Sequence, residues 1–197
     1  MTTAIKGIQI LAATCKQAGI SKVVFSPGSR SAPLVIAFSQ IPEIECVVIP
    51  DERVAGYFAL GIAQQTRQTV AIVCTSGTAL LNLAPAVCEA FYQKIPLLLL
   101  TADRPPEAIG LGENQAIDQR EIYQNYIKES RNIDADNTAP QLIATVVNDA
   151  IALTRTNGAG PVHLNLHLRE PLYNMAEGSN EVLDLSTPLP QKNHEAV

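Results

Sequence analysis

The sequence predicts a doubly wound parallel α/β sheet with helices on both faces. Three observations point to it. Short β-type runs are nearly continuous in apolar residues, the pattern of strands covered on both sides. Helical periodicity separates these runs, and crossovers of that length join parallel strands. Hydrophobic residues make up 47% and charged residues 17% of the 197-residue chain, which suits one domain with a full core.

Each element has its own signal. Ile5, Ile8, Ala12 and Cys15 recur at helical spacing, and Gly19 predicts the stop. Lys22–Ser26 reads as the first strand. After it, Gly28 permits a tight turn, Ser31 can cap a helix, and Pro33 suits that helix's first turn. Cys46–Ile49 is the second strand. Asp51 suits an N-cap for the helix marked by Val54, Phe58 and Ile62, whose other positions are small: Ala55, Gly56, Ala59, Gly61 and Ala63. Thr69–Thr75 is the third strand, followed by a helix from about Ala79 to about Gln93 along Leu80, Leu83, Val87 and Phe91. Pro85 predicts a kink in it, and Lys94 is a cation suited to its C-terminus. Pro96–Thr101, a helix about Gln141–Thr154 and the strand Pro161–Leu166 complete the pattern, which fades after about Pro171. Residues 1–173 are therefore expected to form the domain. Asn174–Val197, polar and with Pro188 and Pro190, suits either a disordered tail or a linker to a further domain.

Composition removes several function classes. A net charge of −5 argues against nucleic acid, and there is no Lys/Arg run for anionic lipid. The longest apolar stretch, around Ile95–Leu100, is far too short to span a bilayer. Cys15, Cys46, Cys74 and Cys88 have no metal-ligand spacing and read as reduced core thiols, so no metal site is expected on them. The N-terminus lacks a signal-peptide pattern. A soluble, cytoplasmic protein is the expectation.

In such sheets ligands bind beyond the carboxyl ends of the strands, so four loops carry the chemistry. In Ser26–Pro33, Ser29 and Ser31 with backbone N–H groups could hold an anion, and the Arg30 fork suits a carboxylate or phosphate. Glu52 falls in the first turn of its helix, where the dipole alone would favour an acid. Thr75-Ser76-Gly77-Thr78-Ala79 could receive a flat ring or an anion, but is neither a Walker loop nor a dinucleotide turn. Gly110-Leu111-Gly112 follows no strand directly and lacks the third glycine. Pro105 and Pro106 hold Arg104 near a strand end, with Asn114 and Gln115 further on. Arg30, Arg53 and Arg104 thus gather on one edge of an acidic protein, which suggests a substrate with more than one carboxylate. His163, His167 and His194 form no catalytic or zinc constellation.

Taken together, over residues 2–170, these loops resemble the N-terminal, pyrimidine-binding domain of thiamine-diphosphate enzymes. The stretch from Thr75 to Ala79 through Lys94 to Thr101 is similar to that superfamily's glycine loop, helix and strand. Ser-Pro-Gly-Ser-Arg-Ser at 26–31, Asp-Glu-Arg at 51–53, Thr-Ala-Asp-Arg-Pro-Pro at 101–106 and Glu-Asn-Gln at 113–115 resemble one family within it. That family is 2-succinyl-5-enolpyruvyl-6-hydroxy-3-cyclohexene-1-carboxylate synthase, of menaquinone biosynthesis. The resemblance implies that Glu52 hydrogen-bonds the pyrimidine of thiamine diphosphate and favours its imino tautomer, a role suited to a buried carboxyl of raised pKa. It implies that Pro27, Thr75, Gly77 and Thr78 contact the cofactor, and that Ser29, Arg30, Arg104, Asn114 and Gln115 contact substrate or intermediate. The reaction implied is decarboxylation of 2-oxoglutarate and addition of the product to isochorismate. A homo-oligomer with the site between subunits is implied as well, and Arg53 has no role in the pattern.

The departure is that nothing resembles the superfamily's second catalytic domain, which holds diphosphate through magnesium (or manganese) with a Gly-Asp-Gly motif. The chain is therefore expected to be a fragment ending in the linker, or one subunit of a split enzyme, and inactive alone. Other readings are a different thiamine-diphosphate enzyme, for which the paired arginines are excessive, and a non-catalytic binding module on the same fold. A nucleotide-dependent oxidoreductase lacks its glycine fingerprint.

Overall fold

A computed structural model of the chain describes residues 2–176. In chain order the elements are β1 (Thr2–Thr3), α1 (Lys6–Gln17), β2 (Lys22–Phe25), α2 (Ala32–Ser39), β3 (Glu45–Val48), α3 (Glu52–Thr66), β4 (Val70–Cys74), α4 (Ala79–Gln93), β5 (Leu97–Asp103), β6 (Ser130–Asp134), α5 (Pro140–Arg155), β7 (Val162–His167) and β8 (Met175–Ala176). Two 3-10 turns, Pro106–Ala108 and Gln124–Tyr126, lie in the long connection after β5. Strands β2 to β7 form one wholly parallel sheet in the order β3-β2-β4-β5-β7-β6. β1 and β8 make a separate antiparallel pair that ties the start of the chain to Met175 and Ala176. The rest of the tail, residues 177–197, lies outside the described residues.

The period of two along each strand sorts the core into two layers. Val23, Phe25, Ala71, Val73, Leu98, Leu100, Leu164 and Leu166 pack under α1, α2 and α5. Val24, Val70, Ile72, Leu97 and Leu99 pack under α3 and α4. This is the doubly wound architecture the sequence predicts. α1 ends just before Gly19, which takes a φ of +87° that other residues avoid. α4 runs from Ala79 to Gln93 with Pro85 inside it, and ends at Lys94 in the left-handed conformation.

Three differences from expectation have plain causes. β6 is absent from the predicted elements because Ser-Arg-Asn-Ile-Asp contains one buried apolar residue, Ile133; it is an edge strand paired with β7 alone. β5 and β7 run past their predicted ends because the sheet continues through Ala102 to the polar Asp103 and through His167. β3 is an edge strand with Val48 exposed, not one covered on both faces.

Strand order reverses between β2 and β4, since β3 lies on one side of β2 and β4 on the other. A crevice is expected beyond the carboxyl ends of strands at such a point. The loops after β2, β3, β4 and β5 all open there.

Candidate functional site

The loop after β2 is pressed against the end of β4. A Cβ on Gly28 would lie 2.5 Å from Thr75 Cβ, so only glycine lets these two loops meet. Ser31 stands at the N-cap of α2 without capping it. Its hydroxyl instead closes the turn, accepting from Gly28 N at 3.1 Å and donating to Gly28 O at 3.0 Å. The anion cradle expected of Ser29 and Ser31 therefore has one hydroxyl already engaged. Pro27 and Ser29 are exposed at the tip.

Glu52 begins α3, placed by the Asp51 carboxylate, which accepts from Val54 N at 2.9 Å as an N-cap should. Glu52 is half-buried at the helix N-terminus, where the dipole favours its charge. It lies close to the end of β4: burial pushes the Cys74 thiol up, and the Glu52 charge pushes it further. Beyond Cys74, Thr75 and Ser76 are buried and Gly77 turns with a φ of +82°. A Cβ there would come within 2.9 Å of Gln115 O, so the glycine loop lies directly against the segment carrying Asn114 and Gln115. Thr78 is exposed at the start of α4 and makes no capping bond through its side chain.

The arginines expected to bind carboxylates converge in part. Arg30 is buried, with 5% exposure, and donates to Leu168 O at 2.6 Å and to Glu170 Oε1 at 2.9 Å. Arg104 donates to Asn114 O at 2.7 Å and lies 3.5 Å from a Glu113 carboxylate oxygen, while its buried Nε has no partner. The two guanidiniums feel one another: burial lowers the Arg30 pKa, Arg104 lowers it further, and Glu170 and Glu113 oppose both. Arg53 is exposed on α3, beside a shallow depression lined by Val54, Tyr57, Phe58 and Pro85. Among the described residues it shares no hydrogen-bond or ion-pair partner with the other two. Asn114 and Gln115 are exposed, and Gln115 takes a left-handed φ of 53°.

Beneath these loops lies a buried polar network outside the candidate residues. Gln119 is fully buried. Its Oε1 accepts from Gly77 N at 2.9 Å, and its Nε2 donates to Ala102 O at 3.2 Å and Asn165 Oδ1 at 2.8 Å. It therefore ties the glycine loop to β5 and β7. Asn165 also accepts from Thr101 Oγ1 at 2.9 Å and donates to Asp103 Oδ2 at 2.7 Å and Asn132 Oδ1 at 2.9 Å, so its amide is fully satisfied. Because Thr101 gives its proton to Asn165, it accepts from His163 Nε2 at 2.6 Å, and His163 Nδ1 then accepts from Ser130 Oγ at 3.1 Å. Burial depresses His163 to about 3, which keeps the ring neutral. Asp103, pushed up by burial, accepts from Arg104 N at 2.7 Å, and His167 Nδ1 donates to Arg104 O at 2.6 Å. Arg104 thus has its backbone held on both sides. The signal for this network was present in Val162-His163-Leu164-Asn165-Leu166-His167, where polar residues recur with period two inside a buried strand. Gln119 had no such signal, since it sits in an irregular connection.

No helix among the described residues is long and apolar enough to cross a membrane. Also among the described residues, no group of three or more His, Cys, Asp or Glu side chains could hold a metal ion.

Comparison with known proteins bears on the chain that carries this site. The family model described as thiamine pyrophosphate enzyme, N-terminal TPP binding domain, covers residues 5–122. The 2-succinyl-5-enolpyruvyl-6-hydroxy-3-cyclohexene-1-carboxylate synthase of Cytophaga hutchinsonii is 43% identical over 180 residues, 88% of this chain and 32% of that protein. The synthase of the same name from Flavobacterium johnsoniae is 47% identical over 159 residues, 81% of this chain and 28% of its own length. That from Natronomonas pharaonis is 45% identical over 161 residues, 80% and 28% respectively. The chain spans about a third of the length of the curated relatives it matches. Its parallel sheet, its glycine loop beside Glu52 and these likenesses agree: the chain belongs to the N-terminal TPP-binding domain family of thiamine pyrophosphate (thiamine diphosphate) enzymes, and is similar to these synthases.

Proposed function

We propose that the chain forms the pyrimidine-side half of the active site in a thiamine-diphosphate-dependent synthase of menaquinone biosynthesis. Its substrates on this reading are 2-oxoglutarate and isochorismate. The observation that carries it is the position of Glu52, a half-buried carboxylate at a helix N-terminus beside the glycine loop at the sheet's reversal point. A flat heterocycle fits such a place, with a carboxylate at its edge and the small residues of the Thr75–Thr78 loop nearby. The bound cofactor supplies the electron sink for carbon dioxide loss, chemistry that no side chain provides.

The chain's own residues have separable tasks. Glu52 hydrogen-bonds the pyrimidine ring and shares a proton with it. Pro27, Thr75, Gly77 and Thr78 border the ring. Arg30 and Arg104 attract carboxylates, with Ser29, Asn114 and Gln115 completing the substrate side. Two dicarboxylate substrates give the adjacent guanidiniums a reason to be there. Magnesium is assigned no ligand among the described residues, so its ligands and the diphosphate site belong on this reading to chain beyond them, and the 197 residues alone do not turn over.

A homo-oligomer with its sites between subunits is part of the proposal. Val54, Tyr57, Phe58 and Leu81 expose apolar surface on α3 and α4, on the helices next to Glu52 and the glycine loop, which favours a covered face there. The test is carbon dioxide release from 2-oxoglutarate by the full-length protein with thiamine diphosphate and magnesium. Release should require both cofactor and isochorismate, and Glu52→Gln should reduce it by about a hundredfold or more. No release by intact, cofactor-bound protein would reject the synthase reading and direct attention to another oxoacid or to a binding role.

A further inference from the structure

Arg30 and Arg104 lie near enough for each to bear on the other's charge, and each is met by a glutamate, Glu170 at 2.9 Å and Glu113 at 3.5 Å. The side chains of the glutamates are much more exposed than those of the arginines they meet: Glu170 at 65% against 6% for Arg30, and Glu113 at 45% against 20% for Arg104. The guanidiniums are thus fixed and the carboxylates are the movable partners. Arg30 is held by Leu168 O whether or not Glu170 stays. Arg104 is held through Asn114 O and through the Asp103 and His167 contacts to its backbone, whether or not Glu113 stays. Burial and mutual repulsion make two adjacent cations unfavourable unless anions neutralise them, and both glutamates ease the Arg30 charge.

We propose that Glu113 and Glu170 are stand-in carboxylates, which a dicarboxylate ligand must displace from Arg104 and Arg30 in order to bind. The inference rests on the reading that these arginines receive ligand carboxylates. It adds that affinity for such a ligand is a difference between two sets of ion pairs, and that two exposed glutamates set it. Each glutamate sits next to residues of the site: Glu113 precedes Asn114 and Gln115, and Glu170 follows the strand that ends at His167.

The experiment measures binding of glutarate, which has two carboxylates and no reactive ketone, to the full-length protein by calorimetry. Glu113→Gln and Glu170→Gln change exposed side chains and leave the fold intact. Each should tighten glutarate binding by about two- to fivefold, the range for removal of one partly exposed competing ion pair. Butyrate, with a single carboxylate, should gain from one of the two substitutions only. Unchanged or weaker glutarate binding in both variants, with binding lost in Arg104→Met, would overturn the stand-in role and leave the arginines as ligand residues. Undiminished glutarate binding in Arg104→Met would instead overturn the reading of the arginines themselves, and the stand-in role with it.

Discussion

His163 shows how one buried side chain governs behaviour with pH. The folded protein keeps it neutral down to about 3, against an ordinary value of 6.5. Below pH 6.5 the unfolded chain accordingly binds a proton that the folded chain refuses. Stability from this group is complete above pH 6.5 and falls by about 1.4 kcal/mol for each unit of pH lost below it. His163→Gln removes the titration but keeps a polar side chain beside Thr101 and Ser130. Urea unfolding at pH 6.5, 5.75 and 5 should therefore show the gap between wild type and variant changing in the variant's favour as pH drops. A gap that stays constant would mean the ring is protonated in the fold. Glu52 is a different kind of residue: its position was readable from Asp51-Glu52-Arg53 after an apolar run, but its electrostatic influence on Cys74 was not, because that relation joins the start of α3 to the end of β4 across the sheet.

Among the elements, the long connection after β5 does more than the sequence suggested. Its Gln119 fastens the glycine loop to β5 and β7 with three hydrogen bonds, none exposed to water. Gln119→Ala strands the Gly77 N–H and disturbs the Asn165 amide, and should cost about 2–4 kcal/mol in chemical unfolding. A loss below about 0.5 kcal/mol would mean that water or a shifted loop replaces these bonds readily. The elements that were legible share a physical property. β2, β4, α4 and α5 have one apolar signature each, continuous or helical, and lie at or within a residue or two of where periodicity puts them; α3 holds the residues read as its marks and runs on to Thr66. β6 was illegible because an edge strand can be polar on nearly every residue when its neighbour supplies polar partners. Asn132 meets Asn165, and Ser130 meets His163. Ser31 misled for a related reason: a serine before a helix can spend its hydroxyl on the turn behind it.

Over the whole molecule, the reversal of strand order gathers on one sheet edge what the sequence spreads across more than eighty residues, from Gly28 and Arg30 to Arg104 and Gln115. The candidate site was legible because each loop follows a predicted strand and strand ends share an edge in a parallel sheet. The glutamate partners of the arginines were not: Glu170 lies 140 residues from Arg30, and Glu113, nearer Arg104, sits in an irregular connection, so neither ion pair leaves a periodic trace. The exposed apolar residues of α3 and α4 lead to an assembly prediction. Phe58→Glu should shift the protein to a lower oligomeric state in sedimentation velocity, because a charge in an apolar contact is left uncompensated. An unchanged sedimentation coefficient would place the contact elsewhere. The central claim concerns Glu52, and the most direct measurement is hydrogen–deuterium exchange at the thiazolium C2 of thiamine diphosphate bound to the full-length protein. Glu52→Gln should slow this exchange by about a hundredfold or more while the cofactor still binds. Equal exchange rates in wild type and variant would show that Glu52 does not activate the cofactor.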